Sequence, residues 1–185
     1  NKFGFGKKGS DLNYSVKMDH PNIEINVNGN IIQSTLFGNY NVQNIISAVS
    51  VGHYFGVEFN NIKKAISNYT SVNNRSQILI KNNNKIILDA YNANPTSMLL
   101  AIKSFEKSGL KNKTIILGDM YELGENKNKF HQEIIDYCER LDVNKIFLVG
   151  EIFSTTKYSK KFISVKNYIE LSELKEFTKI NNSNY

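Results

Sequence analysis

The alternation of apolar and polar positions changes rhythm part-way along this chain. "SDLNYSVKM" (10–18) alternates with period two, as a half-exposed strand does. "IEINV" (23–27) and "IIQSTLF" (31–37) are two further strand-like runs, and Asn28-Gly29-Asn30 between them predicts a hairpin turn. Val42, Ile45, Ile46 and Val49 then recur at helical spacing, with Asn39 or Asn41 ahead of them as a cap. Ile62, Ala65 and Ile66 predict a second helix over 60–69. "TSVNN" (70–74) carries neither period and reads as a linker.

Beyond the linker, apolar runs alternate with helical patterns. "RSQILIK" and "KIILDA" are strands joined by Asn82-Asn83-Asn84. Pro95 stands at a first helical position behind Asn94, and Met98, Ala101, Ile102 and Phe105 share one face. "KTIILGD" (113–119) is a buried-type strand and "NKFHQEIIDYCERL" (128–141) a helix. "KIFLVG" (145–150) is a strand, followed by a helix from about Ser154. "KFISV" is a short strand and "LSELKEFTKI" a last helix. Aliphatic strands alternating with helices predict an α/β fold with a mostly parallel, Rossmann-like sheet. The expected division is residues 1–72, a hairpin plus helices, and residues 73–185, the α/β part.

Composition narrows the class. Of 185 residues, 41% are hydrophobic and 22% charged, enough to fill a core. The net charge of +6 comes from 23 basic and 17 acidic residues, and the lysines are scattered. Only Lys157 to Lys161 approaches a cluster, and it reads as a solvated helix end rather than a nucleic-acid groove. The single cysteine, Cys138, excludes an intramolecular disulfide, and its helical spacing with Phe130, Ile134 and Leu141 places it in a core. His20, His53 and His131 form no metal-ligand pattern. No apolar run approaches a membrane span and no signal peptide is evident, so a soluble, cytoplasmic protein is expected, with a monomer as the default. The first residue is Asn, so the chain is expected to be a fragment.

Two features bear on chemistry. "GFGKKG" (Gly4 to Gly9) matches the dinucleotide glycine pattern, but that motif works between a strand and a helix. Here three residues precede it and a strand pattern follows, so an oxidoreductase reading fails on context. The other feature is the strand ends, where open α/β sheets bind ligands. One strand delivers Asp89, Tyr91, Asn92 and Asn94; the next delivers Asp119 and Glu122; a third delivers Glu151. The first two make one polar rim if their strands are neighbours. Each residue also has a structural reading. Asn94 caps a helix, Asp119 closes a turn, and Glu122 and Glu125 favour a helix N-terminus. Arg75 either pairs with a surface carboxylate or holds an anion at a domain junction.

Taken together these stretches are more specific. "LFGNYNVQNIISAVSVGHYFGV" (36–57), Arg75, "LDAYNANPTSM" (88–98) and "LGDMYELGENKNKFH" (117–131) resemble the Mur ligase family, from about Phe3 to Gly150. The last two strings look most like the member that takes D-alanyl-D-alanine as acceptor. The resemblance implies a three-domain, ATP- and Mg2+-dependent ligase of peptidoglycan precursor synthesis. It would phosphorylate the terminal carboxylate of a UDP-N-acetylmuramoyl-tripeptide and let the dipeptide amine attack the acyl phosphate. Residues 1–72 would then be the tail of the central ATP-binding domain, and 73–185 most of the closing domain. By the same resemblance Asn44 would touch adenine, and Arg75 and Asp89 would lie against ribose and phosphates. Tyr91, Asn92, Ala93 and Asn94 would line the junction of acceptor and nucleotide, with Asp119 and Glu122 shaping its rim. This sequence departs from the family pattern at Tyr40, where His is usual, and at Ala90, where Ser is usual. It contains no GxxxxGK[ST] phosphate loop, and its catalytic groups and metal ligands are expected elsewhere in the parent protein. A non-catalytic nucleotide-binding or interaction module on the same scaffold is the alternative.

Overall fold

A computed structural model describes residues 4–6, 11–18, 22–175 and 177. The chain divides into two compact units, Asn1–Ile78 with Ile87–Asp89, and Leu79–Ile86 with Ala90–Tyr185.

In the first unit β1 (Phe5–Gly6), β2 (Leu12–Met18), β3 (Ile23–Val27) and β4 (Asn30–Ser34) form a four-stranded sheet in that order. β1 runs parallel to β2, and the other pairs are antiparallel. The described part of the glycine pattern, Gly4–Gly6, thus leads into β1, and the next strand in order is β2; its residues 7–9 lie outside the described residues. Asn28 and Gly29 both adopt positive φ (47° and 87°), the geometry of the tight Asn-Gly hairpin turn. α1 (Val42–Tyr54) and α2 (Phe59–Asn68) cover one sheet face. Their stripes join the alternating strand positions in a single core of Leu12, Ile23, Ile25, Val27, Ile32, Val42, Ile45, Ile46, Val49 and Ile62. Burying each such side chain contributes about 1.5–3 kcal/mol.

β5 (Gln77–Lys81) and β6 (Asn84–Leu88) form a separate two-stranded sheet. β6 is thus not a strand of the parallel sheet, and the expected neighbour for its polar end is not there. The reason is local: Asn82 and Asn83 both take positive φ (48° and 61°), and this two-residue turn returns the chain at once onto β5.

In the second unit β7 (Thr114–Gly118), β8 (Lys145–Val149) and β9 (Phe162–Val165) pair in parallel in that order. The helices of this unit are α3 (Pro95–Glu106) ahead of β7, α4 (Lys127–Cys138) and α5 (Glu151–Ser154) between the strands, and α6 (Tyr168–Glu173) after β9. Ile102, Ile115, Leu117, Ile134, Ile135, Cys138, Ile146 and Leu148 meet in one core. Burial pushes the Cys138 thiol up to about 12, as for an inert core cysteine. α5 starts at Glu151 rather than at Ser154, where it ends. The hydroxyls of Thr155 and Thr156 donate to Ile152 O and Phe153 O (2.8 and 2.6 Å) and stop it after one turn. α6 begins at Tyr168 behind an Asn167 cap, and residues 176 and 178–180 of the expected helix lie outside the described residues.

The linker bears on domain structure. Val72, Asn73 and Asn74 are exposed, whereas Ser76 is buried and its N–H is bonded. Limited thermolysin digestion is expected to cut first ahead of Val72, read by mass spectrometry. First cleavage elsewhere, with 69–76 intact, would count against a linker there.

Candidate functional site

The first unit carries a continuous polar chain. A 3-10 turn, Asn39–Asn41, leads into α1, so Tyr40, Asn41 and Asn44 are set on its first turns. Asn41 occupies the N-cap position, but its side chain makes no cap bond. It donates instead to Phe37 O (2.8 Å) and Ser76 Oγ (2.9 Å), and it accepts from Asn44 Nδ2 (3.0 Å). Tyr40 Oη lies 2.7 Å from Ser76 Oγ and donates to Asp89 Oδ2 (2.8 Å). Asp89 Oδ1 accepts from Ser76 N–H (3.1 Å). Burial foremost, and the Asp89 charge, raise the Tyr40 phenol above its ordinary range, while the Ser76 bond opposes the shift.

This chain brings Asn44 and Asp89 into one network. Arg75 is exposed beside it, between Asn74 and Ser76, which both have φ 53°. Non-glycine residues held there are strained, and such strain persists where surroundings fix it. Tyr40, Asn41 and Ser76 are the members that sequence reasoning missed as site residues. The spacing of Asn41 and Asn44 on one helix face was the available signal.

The second unit places the remaining candidates. Tyr91 and Asn92 are exposed, and Ala93 packs against the core cluster. Asn94 caps α3 in a reciprocal capping box: its side chain accepts from Ser97 N–H (2.9 Å), and its own N–H donates to Ser97 Oγ (3.2 Å). Asp119 has a buried side chain. Its oxygens accept from Ile152 N–H and Phe153 N–H, both at 2.9 Å. His131, fully buried, accepts from Met120 N–H at Nε2 (2.9 Å), and its Nδ1 faces Lys127 O (2.7 Å). It therefore sits as the neutral Nδ1–H tautomer, bracing the loop after β7. Glu122, on that loop, is exposed at φ 62°. Among the described residues, no group of three or more His, Cys, Asp or Glu side chains could hold a metal ion.

Residues 74–179 match the family described as Mur ligase, glutamate ligase domain. The chain belongs to the Mur ligase family. It is 33% identical over 162 residues to the UDP-N-acetylmuramoyl-tripeptide–D-alanyl-D-alanine ligase of Bacillus subtilis, covering 82% of this chain and 35% of that protein. The protein of the same name from a Buchnera aphidicola strain is 32% identical over 150 residues, covering 80% and 32%. The chain thus spans about a third of the length of the curated relatives it matches. Among solved structures, a D-alanyl-D-alanyl ligase of Acinetobacter baumannii superposes with a TM-score of 0.83 at 23% identity, covering 96% of this chain and 40% of that one. The MurF ligase of Thermotoga maritima, solved in complex with ADP, superposes with a TM-score of 0.69 at 20% identity, covering 92% and 42%. These structural likenesses establish the Mur ligase fold for the two units.

Proposed function

We propose that this chain is part of an ATP-dependent, cytoplasmic ligase that adds D-alanyl-D-alanine to a UDP-N-acetylmuramoyl-tripeptide in peptidoglycan precursor synthesis. The observation that carries the reading is the 33% identity to the Bacillus subtilis relative across 82% of the chain. In this reading Asn44 meets the adenine, Asp89 accepts from a ribose hydroxyl, and Arg75 lies against phosphates. The network fits those roles. Asn44 is exposed beyond its bond to Asn41, and each Asp89 oxygen accepts one bond and retains acceptor capacity. Tyr91, Asn92, Ala93, Asn94 and Glu122 would line the acceptor side. The Asp119 carboxylate would act there only by holding the backbone N–H groups at the start of α5.

ATP supplies a phosphoryl group that activates the peptide carboxylate as an acyl phosphate, from which the dipeptide amine displaces phosphate. The groups that stabilise phosphoryl transfer must be in place together, and this sequence has no phosphate loop. Magnesium and the phosphate cradle are therefore assigned to the rest of the parent protein, which acts as a monomer in this reading.

The full-length protein, given ATP, Mg2+, the UDP-tripeptide and D-alanyl-D-alanine, is expected to release phosphate only when both peptides are present. The 185-residue chain alone is expected to release none above the blank. A full-length protein that binds ATP yet releases no phosphate would support the non-catalytic module instead. Phosphate release by the isolated chain would overturn the assignment of the phosphate cradle.

A further inference from the structure

The nucleotide roles proposed above fall on the two ends of the first unit's polar chain, and its middle is unassigned. The direction of each bond can be worked out from the groups. Tyr40 Oη has one proton, and the Asp89 carboxylate only accepts, so that proton goes to Asp89. Ser76 Oγ must then donate to Tyr40. Asn41 Nδ2 donates to Ser76 Oγ, and Asn44 Nδ2 donates to Asn41 Oδ1. Every donor points toward Asp89, and hydrogen bonds aligned in this way polarise one another. The Tyr40 ring is fixed as well. It lies on Gly38, where an added Cβ would fall 2.3 Å from Tyr40 Cε1 at a φ of 90°. The phenol is thus held by a bare backbone at its ring and by two partners at its hydroxyl.

We propose that Tyr40 is a positioning residue of the nucleotide site: with Ser76, it holds Asp89 and Asn44 in one fixed relation, so that ribose and base meet both without reordering them. The inference rests on the nucleotide reading of Asn44 and Asp89. Tyr40 touches neither the reacting atoms nor ATP in this scheme; it acts through Asp89. Ser76 N–H and Oγ belong to the same clamp, which also fixes the strained backbone next to Arg75. A purely packing role for Tyr40 would lower stability and leave ATP kinetics untouched once the protein is folded.

The test is steady-state kinetics on the full-length protein. Tyr40→Phe removes only the hydroxyl and is expected to raise KM for ATP about tenfold. Its kcat at saturating ATP is expected to stay within about twofold, because the phenol makes no contact special to the transition state. Asp89→Ala should also raise KM, and adding Tyr40→Phe to it should change KM by no more than about twofold, since one residue acts through the other. If Asp89→Ala raises KM and Tyr40→Phe leaves it at wild type, or if the two effects add, the positioning role falls while the nucleotide site stands. If Asp89→Ala itself leaves KM at wild type, the nucleotide reading falls and takes this inference with it. Should Tyr40→Phe fail to fold, Ser76→Gly is measured in its place. Glycine keeps the left-handed backbone and removes the bridging hydroxyl, and a wild-type KM in that variant overturns the proposal.

Discussion

Asp119→Ala is expected to destabilise the second unit by about 3–5 kcal/mol, a loss in the range reserved for broken buried networks. α5 begins directly after Gly150, which has no side chain to cap it. The cap comes from the end of β7 instead: Asp119 Oδ2 accepts from Ile152 N–H and Oδ1 from Phe153 N–H. These are charge-assisted bonds to a side chain with 4% exposure, each worth about 1.5–3 kcal/mol. Truncation also leaves two backbone donors unpaired. The same packing makes Gly150 irreplaceable: an added Cβ would lie 2.2 Å from Asp119 Cγ, at a φ of 135°. Asp119→Asn keeps one acceptor and should cost about half as much. At roughly 2–4 °C per kcal/mol for a chain of this size, Asp119→Ala should lower Tm by about 10 °C. A shift under about 2 °C in thermal melting would show that the cap carries little weight.

Local signals in the sequence were enough for most elements. Period-two alternation with Asn-Gly marked β3 and β4, helical spacing marked α1, α2 and α4, and Asn94-Pro95 marked the start of α3. Each depends on residues within one or two turns of each other. The partners of the polar groups were less legible because they are distant in sequence. Asp119 reads as a strand-end rim residue or turn closer, yet the donors it serves lie 33 and 34 residues later. Tyr40 and Ser76 meet across 36 residues, and nothing local marks a serine for a left-handed backbone or for burial. β6 is the strand expected, but its neighbour was hidden for a related reason. Its aliphatic run is what a parallel-sheet strand looks like, whereas its pairing was decided by two asparagines in the turn before it. Asp89 and Arg75 stood out as a strand-end group and a junction cation, whereas Asn44 and the nucleotide roles of all three came from resemblance; the structure supplies what resemblance lacked, the hydrogen bonds that tie Asn44 to Asp89.

Arg75→Ala in the full-length protein is expected to lower kcat/KM for ATP about ten- to a hundredfold, from loss of one charge-assisted contact worth roughly 1.5–3 kcal/mol. Arg75 is exposed, and its neighbours Asn74 and Ser76 hold positive φ on both sides. Non-glycine residues in that region cost of order 1–3 kcal/mol each, and here Ser76 is held by its N–H bond to Asp89 and by Oγ bonds with Tyr40 and Asn41. The arginine backbone is thereby fixed beside the network before any ligand arrives, which reduces the ordering cost of binding. Arg75→Lys keeps the charge without the planar fork and should fall between wild type and Ala. The competing reading makes Arg75 a surface ion pair, worth under about 1 kcal/mol and silent in ATP kinetics. Thermal melting separates fold from function at this position, because an exposed side chain removed to Cβ should leave Tm within about 2 °C. Wild-type ATP kinetics in a folded Arg75→Ala protein would make this residue a surface ion pair, and the strained turn around it would then serve only to seat Ser76 against Asp89.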